Sequence, residues 1–202
     1  MWFKNKYFNL EKKIFNFIIG KILGIKFGRK IQSSHEFNDY IVVSFAKLMR
    51  SLFFIKRHLR KNGSNLRSCG FYDVGFGEAD TLYFVSKFYD FSNIGGVEVD
   101  SELVNIAKNK YPNLENLTCD NALNISYTVH NESIFYFYNP MPFSILEKVV
   151  ERITSQSKKC IFLFINIDEI KIFLNDNRFN QIYSESAPSN VYCFQYENDN
   201  ID

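Results

Sequence analysis

Residues 71–80 read Phe71-Tyr72-Asp73-Val74-Gly75-Phe76-Gly77-Glu78-Ala79-Asp80, and the fold turns on this stretch. An apolar run of strand type ends in two glycines two positions apart, and a helical pattern follows directly. Gly75 and Gly77 carry no side chain, so the chain can turn tightly there and a ligand can lie against the backbone. Glycines so spaced also occur in ordinary strand-to-helix turns, so the surroundings have to decide. A second strand-like run ends in Gly95-Gly96-Val97-Glu98-Val99-Asp100, which puts Glu98 23 residues after Gly75. An acidic residue about 20 positions on, at the end of the second strand, is placed to grip ribose hydroxyls, because a carboxylate can accept two vicinal hydroxyls. A third run leads into Thr118-Cys119-Asp120-Asn121-Ala122. Asp120 is either a plain loop acid or an acceptor for the exocyclic amine of an adenine. Taken together, the three features describe an adenosine-type ligand at the carboxyl ends of the strands.

Outward from this stretch the chain alternates between strand and helix. Apolar runs stand at 71–74, 93–99, 134–138 and 160–167, with a weaker one at 115–119, and helical patterns at 79–89, 101–110 and 143–156 lie among them. Asp100 is placed to cap the second helix, and Pro112 stops it. This alternation predicts a mostly parallel sheet covered on both faces. The runs 179–185 and 190–197 are separated only by a short Ser- and Pro-containing stretch, so the seven-stranded sheet is expected to end in an antiparallel hairpin. Before residue 68 the pattern is helical. Ile41, Phe45, Leu48, Leu52, Ile55 and Leu59 form one apolar stripe over 37–60, and Asn62-Gly63-Ser64 ends it. Three segments follow: a basic amphipathic piece at 1–34, a helix packing on the core at 35–67, and the α/β domain at 68–202.

Charge is unevenly spread. Residues 1–67 hold 15 Lys and Arg against three acids, a balance of +12. The remaining 68–202 balance to −10, and the whole chain carries +2. Such asymmetry implies an anionic partner for the N-terminal part, or contact between the two parts of the molecule. Apolar residues at helical spacing (Phe3, Tyr7, Leu10, Ile14, Phe17, Ile18) alternate with lysines. That pattern suits a helix packed on the domain with its lysines in water, or one lying on an anionic membrane surface. No apolar run approaches the length that crosses a bilayer, about 20 residues. Cys69, Cys119, Cys160 and Cys193 are far apart and form no CxxC pair, so reduced thiols are expected rather than disulfides or a metal site. No cleavable leader is visible, and a cytoplasmic location is expected, with contact at the inner membrane face as a variant.

The order DVGFG, GGVEVDSELVNIAKNK, CDNA and FYFYNPMPF resembles the class I S-adenosylmethionine (SAM)-dependent methyltransferases. More narrowly it resembles small bacterial members found among polysaccharide and glycan biosynthesis genes. The resemblance covers about residues 68–197 and implies a Rossmann-like three-layer sandwich with N-terminal helices. It places Asp73, Gly75 and Gly77 around the methionine portion of SAM, Glu98 on the ribose, and Asp120 with Asn121 near the adenine. Asn139-Pro140 would border both cofactor and acceptor and would position the reacting groups. One departure stands in the loop itself. Where relatives continue with a Lys-Gly-Arg-like stretch, this chain has Glu78-Ala79-Asp80, with two acids that would either repel the SAM carboxylate or meet its ammonium. A nicotinamide-type domain is the competitor. It needs Gly-x-Gly-x-x-Gly, and Asp80 stands at the third glycine, where two acids at a helix start would repel pyrophosphate.

The implied activity is methyl transfer to a small-molecule, sugar or glycan acceptor, chiefly at oxygen. The alternatives are a catalytically silent SAM-binding or scaffold relative, and a protein or nucleic-acid N-methyltransferase. Met141 breaks the Asn-Pro-Pro-aromatic spacing used by amino-methyltransferases, so a nucleic-acid partner is disfavoured. An oxygen acceptor calls for a base, for which His35, His130 and Asp80 are candidates. His58, among Lys56, Arg57 and Arg60, reads as a helix-surface residue.

Overall fold

The computed structural model describes residues 14–25, 44–127, 132–167, 170–185 and 190–198. Seven strands form one sheet in the order β3-β2-β1-β4-β5-β7-β6. They are β1 (Gly70–Val74), β2 (Asn93–Glu98), β3 (Asn116–Cys119), β4 (Ser133–Tyr138), β5 (Lys159–Ile165), β6 (Phe179–Glu185) and β7 (Val191–Glu197). The first five pair in parallel, and β7 inserts antiparallel between β5 and β6, so the sheet ends in the expected hairpin. The helices are α1 (residues 14–23), α2 (Phe45–Lys61), α3 (Asp80–Phe88), α4 (Ser101–Lys110), α5 (Phe143–Gln156) and a short α6 (Lys171–Leu174).

The period-two alternation of the central strands divides the core between two faces. On β4, Ile134, Tyr136 and Tyr138 join one apolar cluster with α2, α3 and α4, while Phe135 and Phe137 join the other with α5. β5 does the same, with Ile161, Leu163 and Ile165 against Phe162 and Phe164. Three layers result. The phenylalanines have a structural use in the second cluster, where Phe162 stacks on Phe164 at 5.8 Å and Phe164 on Phe173 at 5.5 Å. Cys69, Cys160 and Cys193 are buried, Cys119 is exposed, and all four are free thiols.

α2 packs on β6 and β7 along its predicted stripe, with Phe45, Leu48, Leu52, Ile55 and Leu59 buried. Arg50 reaches Glu185 at 2.7 Å, and His58 bonds to Gln195, so part of the basic segment meets the acidic half of its own chain. Chain order reverses at β1: β2 and β3 lie to one side of it, β4 and β5 to the other. A crevice outside the strand carboxyl ends at such a switch point is where open α/β sheets bind ligands. The sequence elements singled out above lie at this edge.

Candidate functional site

The site begins where β1 ends. Gly75 and Gly77 both adopt positive φ, at 84° and 57°, which glycine tolerates and L side chains resist. The amides of Gly75 and Phe76 donate to the Val97 carbonyl at 2.8 and 3.4 Å, which bends the loop over the end of β2. There the loop meets Glu98. The Gly77 amide donates to Glu98 Oε2 at 3.0 Å, while Val99 and Asp100 donate to Oε1 at 2.8 and 3.0 Å. A carboxylate has about four lone-pair sites, so this side chain is fixed by three amides and keeps roughly one acceptor position on Oε2. Glu98 therefore does two things: it holds the loop, and it points acceptor capacity at the bend.

Asp73, 2 % exposed, lies one strand position before the turn. Burial pushes its carboxyl well above the ordinary range and the nearby Glu98 charge adds to this, with hydrogen bonding from Thr81 acting the other way. Gly96 has to be glycine for a related reason: a Cβ there would come within 2.4 Å of the Asp73 carbonyl oxygen. At Gly75 a Cβ would stand 2.4 Å from Pro140 Cβ. The missing side chain thus makes room for the β4 loop and locks Asn139-Pro140 against the bend. Asn139 adopts φ 47°, a conformation that asparagine tolerates better than most residues.

The two acids of the loop have partners within the chain. Lys110, at the end of α4, donates to Glu78 Oε2 at 2.8 Å and to Asp80 Oδ1 at 2.7 Å. The Tyr111 hydroxyl donates to the same Asp80 oxygen at 2.6 Å, and the Tyr111 ring stacks on Tyr83 of α3 at 4.2 Å. The Glu78-Ala79-Asp80 stretch is therefore a clamp between the loop and α4. Burial opposes the Lys110 charge, but hydrogen bonding to Asp80 and Glu78 overcomes it and leaves the ammonium pKa raised. Burial raises the Asp80 carboxyl, against the pull of Lys110 and Tyr111. Between the acids, Ala79 sits in the left-handed region at φ 62°, a conformation that glycine adopts more readily. Its methyl is fully buried, and the alanine tolerates a strain of about 1 kcal/mol that glycine would not have.

Asp120 and Asn121 follow β3 and are exposed at the same edge. The Asp120 amide donates to the Glu98 carbonyl at 3.1 Å, which ties this loop to the end of β2. Asp120 Oδ1 accepts from the Asn121 amide at 2.6 Å, and Asn121 Oδ1 from the Leu123 amide at 2.9 Å, so both side chains shape their own turn. Asp100 caps α4 as expected, accepting from the amides of Glu102 and Leu103. The structure brings Asp73, Gly75, Gly77, Glu98, Asn139 and Pro140 to one corner, with Asp120 and Asn121 beside it.

The base candidates fare differently. Asp80 is committed to Lys110 and Tyr111. His58, on α2, bonds to Gln195 of β7 and to Asn62, away from the loop. His35 and His130 lie outside the described residues. Burial pushes the Tyr138 phenol, just before Asn139, up to about 12, against hydrogen bonding from Asn166 and Ser44, so it stays protonated at neutral pH. Sequence reasoning missed Lys110 and Tyr111, whose helical pattern gave no sign of partners some 30 residues back. Among the described residues no group of His, Cys, Asp and Glu is arranged to hold a metal ion.

Solved structures share this architecture. PH1948 of Pyrococcus horikoshii, assigned as an RNA methyltransferase, matches with a TM-score of 0.59 at 11% identity, over 89% of this chain and 96% of its own. SMU.1697c of Streptococcus mutans, assigned as a methyltransferase and solved with S-adenosylhomocysteine (SAH), matches at 0.54 and 13%, over 78% and 99%. An rRNA methylase of Streptococcus thermophilus matches at 0.51 and 12%, over 75% and 95%. No protein-family model matches the sequence, and no curated protein matches it. At these identities the likeness is one of fold, a Rossmann-like sandwich that this chain shares with those proteins.

Proposed function

We propose that the protein is a SAM-dependent methyltransferase acting on a hydroxyl of a small-molecule, sugar or glycan acceptor. The observation that carries this reading is the Glu98 carboxylate held 3.0 Å from the Gly77 amide at the β1 bend. It supports adenosyl binding over a dinucleotide in a specific way. In a pyrophosphate cradle the loop amides are the donors to phosphate. Here the Gly77 amide is already engaged by a carboxylate, whose charge opposes an anion at that place. SAM has no phosphate, and its sulfonium is positive.

In this reading Glu98 holds the ribose, Asp120 and Asn121 border the adenine, and Asp73 and the glycine bend border the methionine portion. SAM supplies an activated methyl group. Asn139 and Pro140, packed on Gly75, position acceptor and methyl, a role that proximity rewards by several kcal/mol, about 7 or more in well-aligned systems.

The +12 balance of residues 1–67 favours a second reading, in which the acceptor is RNA, as the names of two structural neighbours have it for those proteins. Calorimetry with SAM and with NAD tests the cofactor. Transfer from methyl-labelled SAM to sugar acceptors and to RNA then separates the two acceptors, and SAM binding with no transfer to any acceptor would indicate a silent relative. NAD binding without SAM binding would refute both readings.

A further inference from the structure

We infer that α1 is a docking helix for an anionic phospholipid surface, a property that does not depend on methyl transfer. Ile19 on this helix and Ile25 just after it are buried, and Phe15 and Leu23 pack on the same core cluster. The opposite side is apolar as well. Ile14, Phe17, Ile18 and Ile22 are 51%, 63%, 48% and 64% exposed, at spacings of three, four and eight that place them along one side of the helix. A helix apolar on both sides needs a second apolar medium, and water is not one.

Charge decides which medium. Between Glu11 and Glu36 the sequence holds Lys12, Lys13, Lys21, Lys26, Arg29 and Lys30 and no acid. α2 has no Asp or Glu either, and its outer side shows Phe53, 61% exposed, with Lys56, Arg57, Arg60 and Lys61 exposed beside it. An exposed apolar stripe on a helix whose neighbouring sequence holds lysines and arginines and no acid suits an in-plane helix at an anionic bilayer. A second copy docked stripe to stripe would bring two strongly cationic segments together. Nucleic acid would engage the lysines but leave the isoleucines and Phe17 uncovered, since its affinity comes from phosphate contacts. Among the described residues no helix is long and apolar enough to cross a membrane, so the contact would be with its surface.

Full-length protein mixed with vesicles of phosphatidylglycerol and phosphatidylcholine, or of phosphatidylcholine alone, tests this. Co-sedimentation is expected with the anionic vesicles, weakening as salt rises, and not with the neutral ones. The double substitution Phe17→Ser, Ile22→Ser should lower partitioning by about tenfold or more while thermal unfolding stays unchanged, because both side chains are mostly in water. In a Trp2→Phe background, Phe17→Trp should keep the partitioning and shift the protein's indole fluorescence to the blue on anionic vesicles. Absence of partitioning would overturn the inference, as would partitioning that ignores the double substitution, or a Phe17→Trp emission spectrum that vesicles leave unchanged. A dimer, or an RNA complex, lost on the double substitution would overturn it too by giving the stripe another occupant.

Discussion

Replacing Lys110 with methionine tests whether Glu78-Ala79-Asp80 is a clamp. Lys110 is the shared partner of both acids, and the side-chain exposures are 24% for Lys110, 12% for Glu78 and 6% for Asp80. An exposed ion pair contributes at most about 1 kcal/mol, whereas stripping one partner from a buried pair costs about 3–5 kcal/mol. Water reaches Lys110, and Asp80 keeps the Tyr111 hydroxyl at 2.6 Å, so the cost should lie between these limits, at about 2–3 kcal/mol. In a domain of this size that lowers the unfolding temperature by about 4–12 °C. The pH dependence has a definite sign. Asp80 is raised in the folded state, so its ionisation costs stability as pH climbs through the folded pKa, and that cost vanishes below the unfolded value of about 3.9. Without Lys110 the cost of ionising Asp80 grows, so the deficit of Lys110→Met should be larger near pH 7 than near pH 5. Urea unfolding at both pH values measures it. In a Glu78→Gln, Asp80→Asn background the same change should be nearly neutral. A loss under about 0.5 kcal/mol in the wild-type background, or one that does not depend on pH, would refute the clamp.

Three other perturbations follow from the same corner. Gly75→Ala should destabilise by about 2–4 kcal/mol, since its methyl would meet Pro140 at 2.4 Å in a residue with φ 84°, and adding Pro140→Gly should recover part of the loss in thermal melts. Asp73→Asn should flatten the pH profile of stability. The wild type gains stability as pH falls from the raised Asp73 pKa toward the ordinary carboxylate value, and a variant with the wild-type slope would count against a buried, strained carboxyl. Asn139→Ala should melt lower than Asn139→Gly by about 1 kcal/mol, because only glycine relaxes φ 47°.

Much of this corner is legible in the sequence because its determinants are local. Two glycines after an apolar run announce a bend, and an acid ending the next strand falls beside it once the two strands pair in parallel, with Asp73 opposite Gly96. The hairpin is legible from its four-residue separator. The purpose of Glu78 and Asp80 is not, because their partner lies on another helix some 30 residues away and depends on how α4 docks. In sequence Gly75 reads as making room for a ligand; that a Cβ there would also meet Pro140 is not legible, because this contact needs the β1–β4 pairing to exist. The short α6 has too few residues for a helical period to show. The aromatic abundance is legible as composition only. Stacking such as Phe162 on Phe164 depends on which strands lie side by side.

Calorimetric titration of the wild type and of Glu98→Gln with SAM tests the central claim most directly. Glutamine keeps one acceptor oxygen for the Val99 and Asp100 amides but replaces Oε2 with a donor, which cannot accept from Gly77 or from a ribose hydroxyl. SAM should bind the wild type and bind the variant about tenfold or more weaker, as expected for the loss of a charged acceptor. Equal affinities in the two proteins would place the cofactor elsewhere and contradict the assignment.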